Sequence, residues 1–172
     1  MTDLTKLLLG LKDQEVNVAN LVFGEPNLFS INISTDDRFA SISIFCASEE
    51  IGDSSEYVLL STFISLIKNK INNYDYSLSN ELFNLEKNDV ISYVVDGFEK
   101  AESWRESQRL ESIWITLNLA PCFDGETFIL LSTDEYDRVI WKTFNSEIIS
   151  EAFLPAGYVL KQFDLFFNNF SK

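Results

Sequence analysis

The period of the hydrophobic pattern changes along the chain, and each change marks an element. Leu4, Leu7, Leu8 and Leu11 fall at helical spacing behind Thr2 or Asp3 as a cap. They predict a short amphipathic helix in an N-terminal extension, residues 1–20. Such a helix either packs on the main body or docks a partner. After the turn signal Gly24-Glu25-Pro26-Asn27 the period becomes two. Phe29, Ile31 and Ile33 alternate with Ser30, Asn32 and Ser34; beyond Thr35-Asp36-Asp37-Arg38, Ile42, Ile44 and Cys46 alternate with Ser41, Ser43 and Phe45. This pattern predicts a β-hairpin with one buried face. Gly52-Asp53-Ser54-Ser55-Glu56 then opens a helix, with Asp53 and Glu56 as a capping box. Leu60, Phe63, Ile64, Ile67 and Ile71 form its apolar stripe, and Lys68 and Lys70 near its end suit the helix dipole. This helix, at about 54–72, should lie across the sheet.

The middle of the chain is less regular. Leu82, Phe83 and Leu85 suggest a short helix after Ser79, and the run from Val90 to Val95, ended by Asp96-Gly97, favours a strand. Glu99 to Glu111 is highly charged around Trp104 and reads as an exposed helix or a long loop. In the C-terminal third, Ile113, Ile115, Leu117 and Leu119 alternate with Trp114, Thr116 and Asn118. Thr127–Ser132 has the apolar character of a central strand, and Val139–Phe144 follows the turn Asp134-Glu135-Tyr136-Asp137. These three runs predict an antiparallel meander. After Pro155, Val159, Phe163, Phe166, Phe167 and Phe170 make a last helical stripe, at about 156–170. Strands grouped together, with helices at the ends of runs, give an α+β fold. The expectation is an antiparallel sheet of about five or more strands, packed by the long central helix and the C-terminal helix. The chain is expected to form a single domain over 1–172, with 1–20 as its helical extension and 21–172 as its α+β part.

Charge sharpens the functional picture. The 172 residues carry 27 Asp and Glu against 13 Lys and Arg, a net charge of −14, with no histidine. Hydrophobic residues make up 46% of the chain, enough to fold in spite of that charge. An anionic body repels phosphates and acidic lipid heads, so nucleic acid and membrane are poor partners, whereas a cationic protein is a good one. Without histidine the usual triads and the commonest general base are gone. A carboxylate pair could still cleave a glycosidic bond, but among 27 acids some pair always shows plausible spacing. No phosphate-binding loop, calcium loop or zinc set is present, so no metal and no cofactor is expected. Cys46 and Cys122 each lie among apolar residues and read as buried thiols. Residues 1–6 carry no basic segment, and the apolar run that follows is too short for a signal peptide or a membrane span, so a cytosolic protein is expected.

Two mixtures of acids and aromatics are candidate contact patches. Asp134, Glu135, Tyr136 and Asp137 combine three carboxylates with a rigid ring on a predicted turn tip. Glu99, Glu102, Trp104 and Glu106 form the second, with Trp104 as its natural anchor if exposed. Carboxylates pair with Arg and Lys of a partner, and aromatic rings supply contact area. A solvated turn and a core tryptophan are the plainer readings of the same residues.

The order of motifs resembles one α+β family of immunity proteins from bacterial polymorphic-toxin and contact-dependent inhibition systems. The likeness rests on Phe23-Gly24-Glu25-Pro26-Asn27-Leu28-Phe29-Ser30-Ile31, on Ile51-Gly52-Asp53, on Phe123-Asp124-Gly125-Glu126-Thr127-Phe128 and on Asp137-Arg138-Val139-Ile140-Trp141-Lys142, across residues 21 to 170. The resemblance implies a cytosolic, non-catalytic inhibitor that blocks one cognate toxin domain, with Gly24 and Trp141 forming the fold. Charge complementarity adds that the toxin is basic, for instance a nuclease. The expected inhibitor is a monomer that binds its toxin one to one. Three other readings fit parts of the pattern: an acidic secretion chaperone, a nucleic-acid mimic and a carboxylate hydrolase.

Overall fold

A computed structural model describes residues 18–36 and 38–170. The helix expected from Leu4 to Leu11 lies outside the described residues. Strands β1 (Ala19–Glu25), β2 (Phe29–Thr35) and β3 (Phe39–Cys46) form an antiparallel meander. Its register places Phe23 opposite Ile31 and Ile31 opposite Ile44, so period-two alternation becomes one apolar face. The first turn needs glycine: Gly24 has φ +99°, and a Cβ there would stand 2.3 Å from the Phe29 carbonyl oxygen. β3 also pairs with β4 (Glu49–Ile51) near its end and with β5 (Tyr57–Leu59) near its start. A second sheet has the order β6 (Thr127–Ser132), β7 (Tyr136–Lys142), β8 (Ser150–Pro155). The described helices are α1 (Leu60–Asn72), α2 (Tyr76–Leu82), α3 (Lys87–Lys100), α4 (Trp104–Ile113) and α5 (Tyr158–Phe170). The fold is thus α+β with antiparallel sheets.

Aromatic rings join the layers. Phe166 of α5 meets Phe23 edge-on at 5.6 Å and Phe63 of α1 at 5.9 Å, while Phe163 packs on Phe29 at 5.7 Å. The two sheets are tied by Trp141, whose buried indole Nε1 donates to Glu49 Oε2 at 2.8 Å.

Several sequence expectations are corrected. Asp53 does not open the long helix: its Oδ1 accepts from the Ser55 backbone and hydroxyl in a turn, and β5 intervenes before α1 begins at Leu60. The short helix precedes Leu85, because Asp75 caps it by accepting from the Leu78 N–H. Val90 to Val95 is helical, within α3. Only Val90 and Val94 are fully buried, a spacing of four that packs a helix, and this burial overrides the β preference of valine. Glu99–Glu111 resolves into the end of α3 and the helix α4. Ile113–Leu119 is not a strand. It makes one bridge, Trp114 to Ile129, and then coils through turns in which Asn118 takes φ 54°. The meander is therefore shifted on by one element, and β7, not β6, is central. β6 is buried on both faces, and non-strand groups seal its outer edge. The Ile115 N–H donates to the Phe128 carbonyl, the Phe128 N–H to Thr116 Oγ1, and Tyr74 Oη to the Leu130 carbonyl.

Candidate protein-binding surface

The first predicted patch divides. Asp134 and Glu135 are exposed at the β6–β7 turn, and Tyr136 stands half-exposed beside them. Asp137 points inward and is fully buried. Its carboxylate accepts from the backbone N–H of Gly157 at 3.0 Å and of Val159 at 2.9 Å, capping α5 from the neighbouring strand. It offers nothing to a partner. In the second patch, Trp104 is 77% exposed at the first position of α4. Glu106 turns back on the helix end: its N–H donates to Ser103 Oγ at 3.2 Å and its carboxylate accepts from the Glu102 N–H at 3.3 Å. This is a variant of the capping box, legible in the spacing Ser103-x-x-Glu106. Among the described residues, no hydrogen bond or ion pair joins the two patches.

The structure gathers carboxylates at a place that no sequence window shows. A cleft of about 430 Å³ lies where loops from both sheets meet. Glu50 on β4, Asp53 and Glu56 from the β4–β5 loop, and Asp124 and Glu126 from the segment before β6 line it together with Phe144 after β7. The loops are pinned by the Asp53 N–H, which donates to the Cys122 carbonyl at 2.7 Å. Phe144 is 70% exposed. Its ring lies over Gly125, where φ is +82° and a Cβ would meet the ring at 2.3 Å. No Lys or Arg lines this cleft among the described residues.

The helical side is different. A cavity of about 450 Å³ at α1 and α4 contains Lys70, Arg105 and Arg109. Lys70 pairs with Glu111 at 3.2 Å, and Arg109 pairs with Asp75 at 3.0 Å and Glu81 at 2.8 Å. A groove of about 330 Å³ between α3 and α4 likewise mixes Asp96 and Glu106 with Lys100 and Arg109. Lys70 and Arg109 are thus paired internally there, whereas, among the described residues, no Lys or Arg in the lining of the cleft between the sheets answers its five carboxylates.

Neither thiol is a ready nucleophile. Burial pushes Cys46 and Cys122 up to about 12, with nearby carboxylates adding to the shift. Glu126 is raised above its ordinary value by burial, opposed by the Phe144 N–H and reinforced by the charge of Glu49; its Oε2 is buried without a partner. The four other acids of the cleft are exposed, so they stand ready to attract a cation.

The raised Glu126 gives a stability prediction. The unfolded chain ionises this group more readily than the fold does, so stability falls as pH rises through the shifted value. Below the ordinary 4.5 both states are protonated and the cost vanishes. Glu126→Gln, which keeps an acceptor for Phe144, should therefore raise the melting temperature at pH 7 by ~1–2 °C. The difference should close by pH 4, as followed by circular dichroism.

Comparison with known proteins adds one match. The family model described as Immunity protein 42 matches residues 21–168. No curated protein and no solved structure matches the chain. Among the described residues, no helix is long and apolar enough to cross a membrane, and no group of His, Cys, Asp and Glu is arranged to hold a metal ion.

Proposed function

Because the chain belongs to the Immunity protein 42 family, we propose that it neutralises one cognate toxin domain by binding it one to one and covering its active site or an essential surface. The toxin is a basic protein of a polymorphic-toxin or contact-dependent inhibition system, a nuclease being the kind whose phosphate-attracting site best answers this charge. The observation that supports a basic partner is the unmatched carboxylate cleft on a body of net charge −14. Such a field speeds encounter with a cation by about tenfold or more at low salt. The chain inhibits by occupation and consumes nothing. It acts as a monomer in the cytoplasm, where an incoming toxin would reach its target.

The test is growth. The toxin domain encoded beside this gene is produced in a naive host, with and without this chain. Restored growth, together with a one-to-one complex on size-exclusion chromatography with light scattering, is the expected result. Toxicity undiminished by the chain at equal production would overturn the proposal.

A further inference from the structure

The cleft shares a wall with an apolar groove. The groove, about 270 Å³, runs between β5, α1 and the segment Leu119–Pro121, and Pro121 lines both it and the cleft. Tyr57 is 68% exposed there, and Leu59 and Leu66 are each 40% exposed. The strand period explains the arrangement: Val58 turns into the core while Tyr57 and Leu59 face out on the same side. Leu66 sits on α1 beside the buried positions Phe63 and Ile67. Leu59 pairs across the sheet with Phe39, itself half-exposed, so the apolar surface continues to the Arg38 guanidinium lying over the Phe39 ring at 5.2 Å. Exposed apolar side chains scattered singly need no explanation, but side chains gathered in one groove mark a contact surface.

Resting on the reading of the chain as a toxin inhibitor, we propose that this groove and the adjoining cleft are the toxin-binding face. The toxin inserts an apolar side chain between Tyr57, Leu59 and Leu66, and its flanking Arg and Lys side chains enter the cleft. Charge decides the occupant. A second copy of this chain would bring −14 against −14 and set like carboxylates against each other. A basic surface with one apolar knob matches both halves at once. Apolar anchors at the centre with charged groups at the rim are the usual anatomy of a protein interface.

The test compares four variants with the wild-type chain against the purified toxin domain, by calorimetry and stopped-flow mixing. Tyr57→Ala should weaken binding by about 30-fold and Leu66→Ala by about 10-fold. The double variant Glu56→Lys/Asp124→Lys should weaken it by about 100-fold, largely through a slower association rate. Asp134→Lys/Glu135→Lys changes net charge by the same amount on a different turn, so it removes the same long-range attraction without touching the proposed face. It should stay within about 10-fold of wild type. Circular dichroism melts check folding, and the exposure of Tyr57 makes Tyr57→Ala the safest variant in that respect. If wild type binds tightly and the groove and cleft variants bind equally well, the face is elsewhere: this inference fails while the proposed function stands. If wild type does not bind the toxin, both fail. If Tyr57→Ala instead converts a dimer of this chain to monomer without changing toxin affinity, the groove is a self-association surface and the inference is overturned.

Discussion

Replacing Arg138 with Met is expected to cost about 3–5 kcal/mol of folding free energy, because it breaks a buried charge network and leaves its partners behind. Arg138 lies on the central strand β7 and is almost wholly buried. Its Nε and Nη2 donate to Glu151 Oε2 at 3.0 and 2.7 Å, and Nη1 donates to the carbonyls of Phe83 at 2.6 Å and Leu85 at 2.7 Å. The guanidinium therefore fastens the segment after α2 to the second sheet, and it also lies over the Phe153 ring. Methionine fills the space of the stem but satisfies neither carbonyl. Against a total stability of about 5–15 kcal/mol, the loss leaves the fold marginal. Urea unfolding should show a lower midpoint with an unchanged slope, and a melting temperature lower by ~10 °C. Glu151→Gln, which keeps an acceptor at a half-buried rim, should cost about 1 kcal/mol. A midpoint for Arg138→Met equal to wild type would show that the network adds nothing.

Asp137→Ala should cost about 3 kcal/mol by a different route. Its carboxylate satisfies two N–H groups at the start of α5, and a negative charge at a helix N-terminus is stabilising in itself. Alanine leaves both donors buried and unpaired. The damage spreads because α5 carries Phe163 and Phe166, which pack on Phe29, Phe23 and Phe63. Asp137→Asn keeps one acceptor and should lose about half as much. Hydrogen exchange reads the effect locally: amides at the start of α5 should lose protection in Asp137→Ala before those of β2 and β3. Equal protection in variant and wild type would contradict the capping role.

These two neighbours show what the sequence could and could not reveal. Asp137 read as a surface acid because it closes the predicted turn tip that begins with the acids Asp134 and Glu135. That it faces inward depends on α5 returning against β7 twenty residues later, which no local window contains. Period-two alternation from Phe29 to Cys46 was legible because one face of that hairpin is buried throughout. It misled at Ile113–Leu119, where buried Ile113 ends α4 and the buried residues Ile115 and Leu119 sit on turns that close the edge of β6. β-branched residues misled at Val90–Val95, where burial at a spacing of four was the stronger signal. Exposure of Trp104 could not be decided from sequence, whereas the cap at Ser103 and Glu106 could have been. The carboxylate cleft was hidden for a simple reason: its walls come from residues 50–56, 121–126 and 144–145, and only the meeting of two sheets brings them together.

The central claim is that an anionic face captures a cationic toxin, and the association rate tests it most directly. Stopped-flow mixing of this chain with the toxin domain encoded beside its gene should give a rate constant above about 10⁷ M⁻¹s⁻¹ at 50 mM NaCl, falling at least tenfold by 500 mM as salt screens the carboxylates. A rate indifferent to salt, or no association at either concentration, would contradict the account.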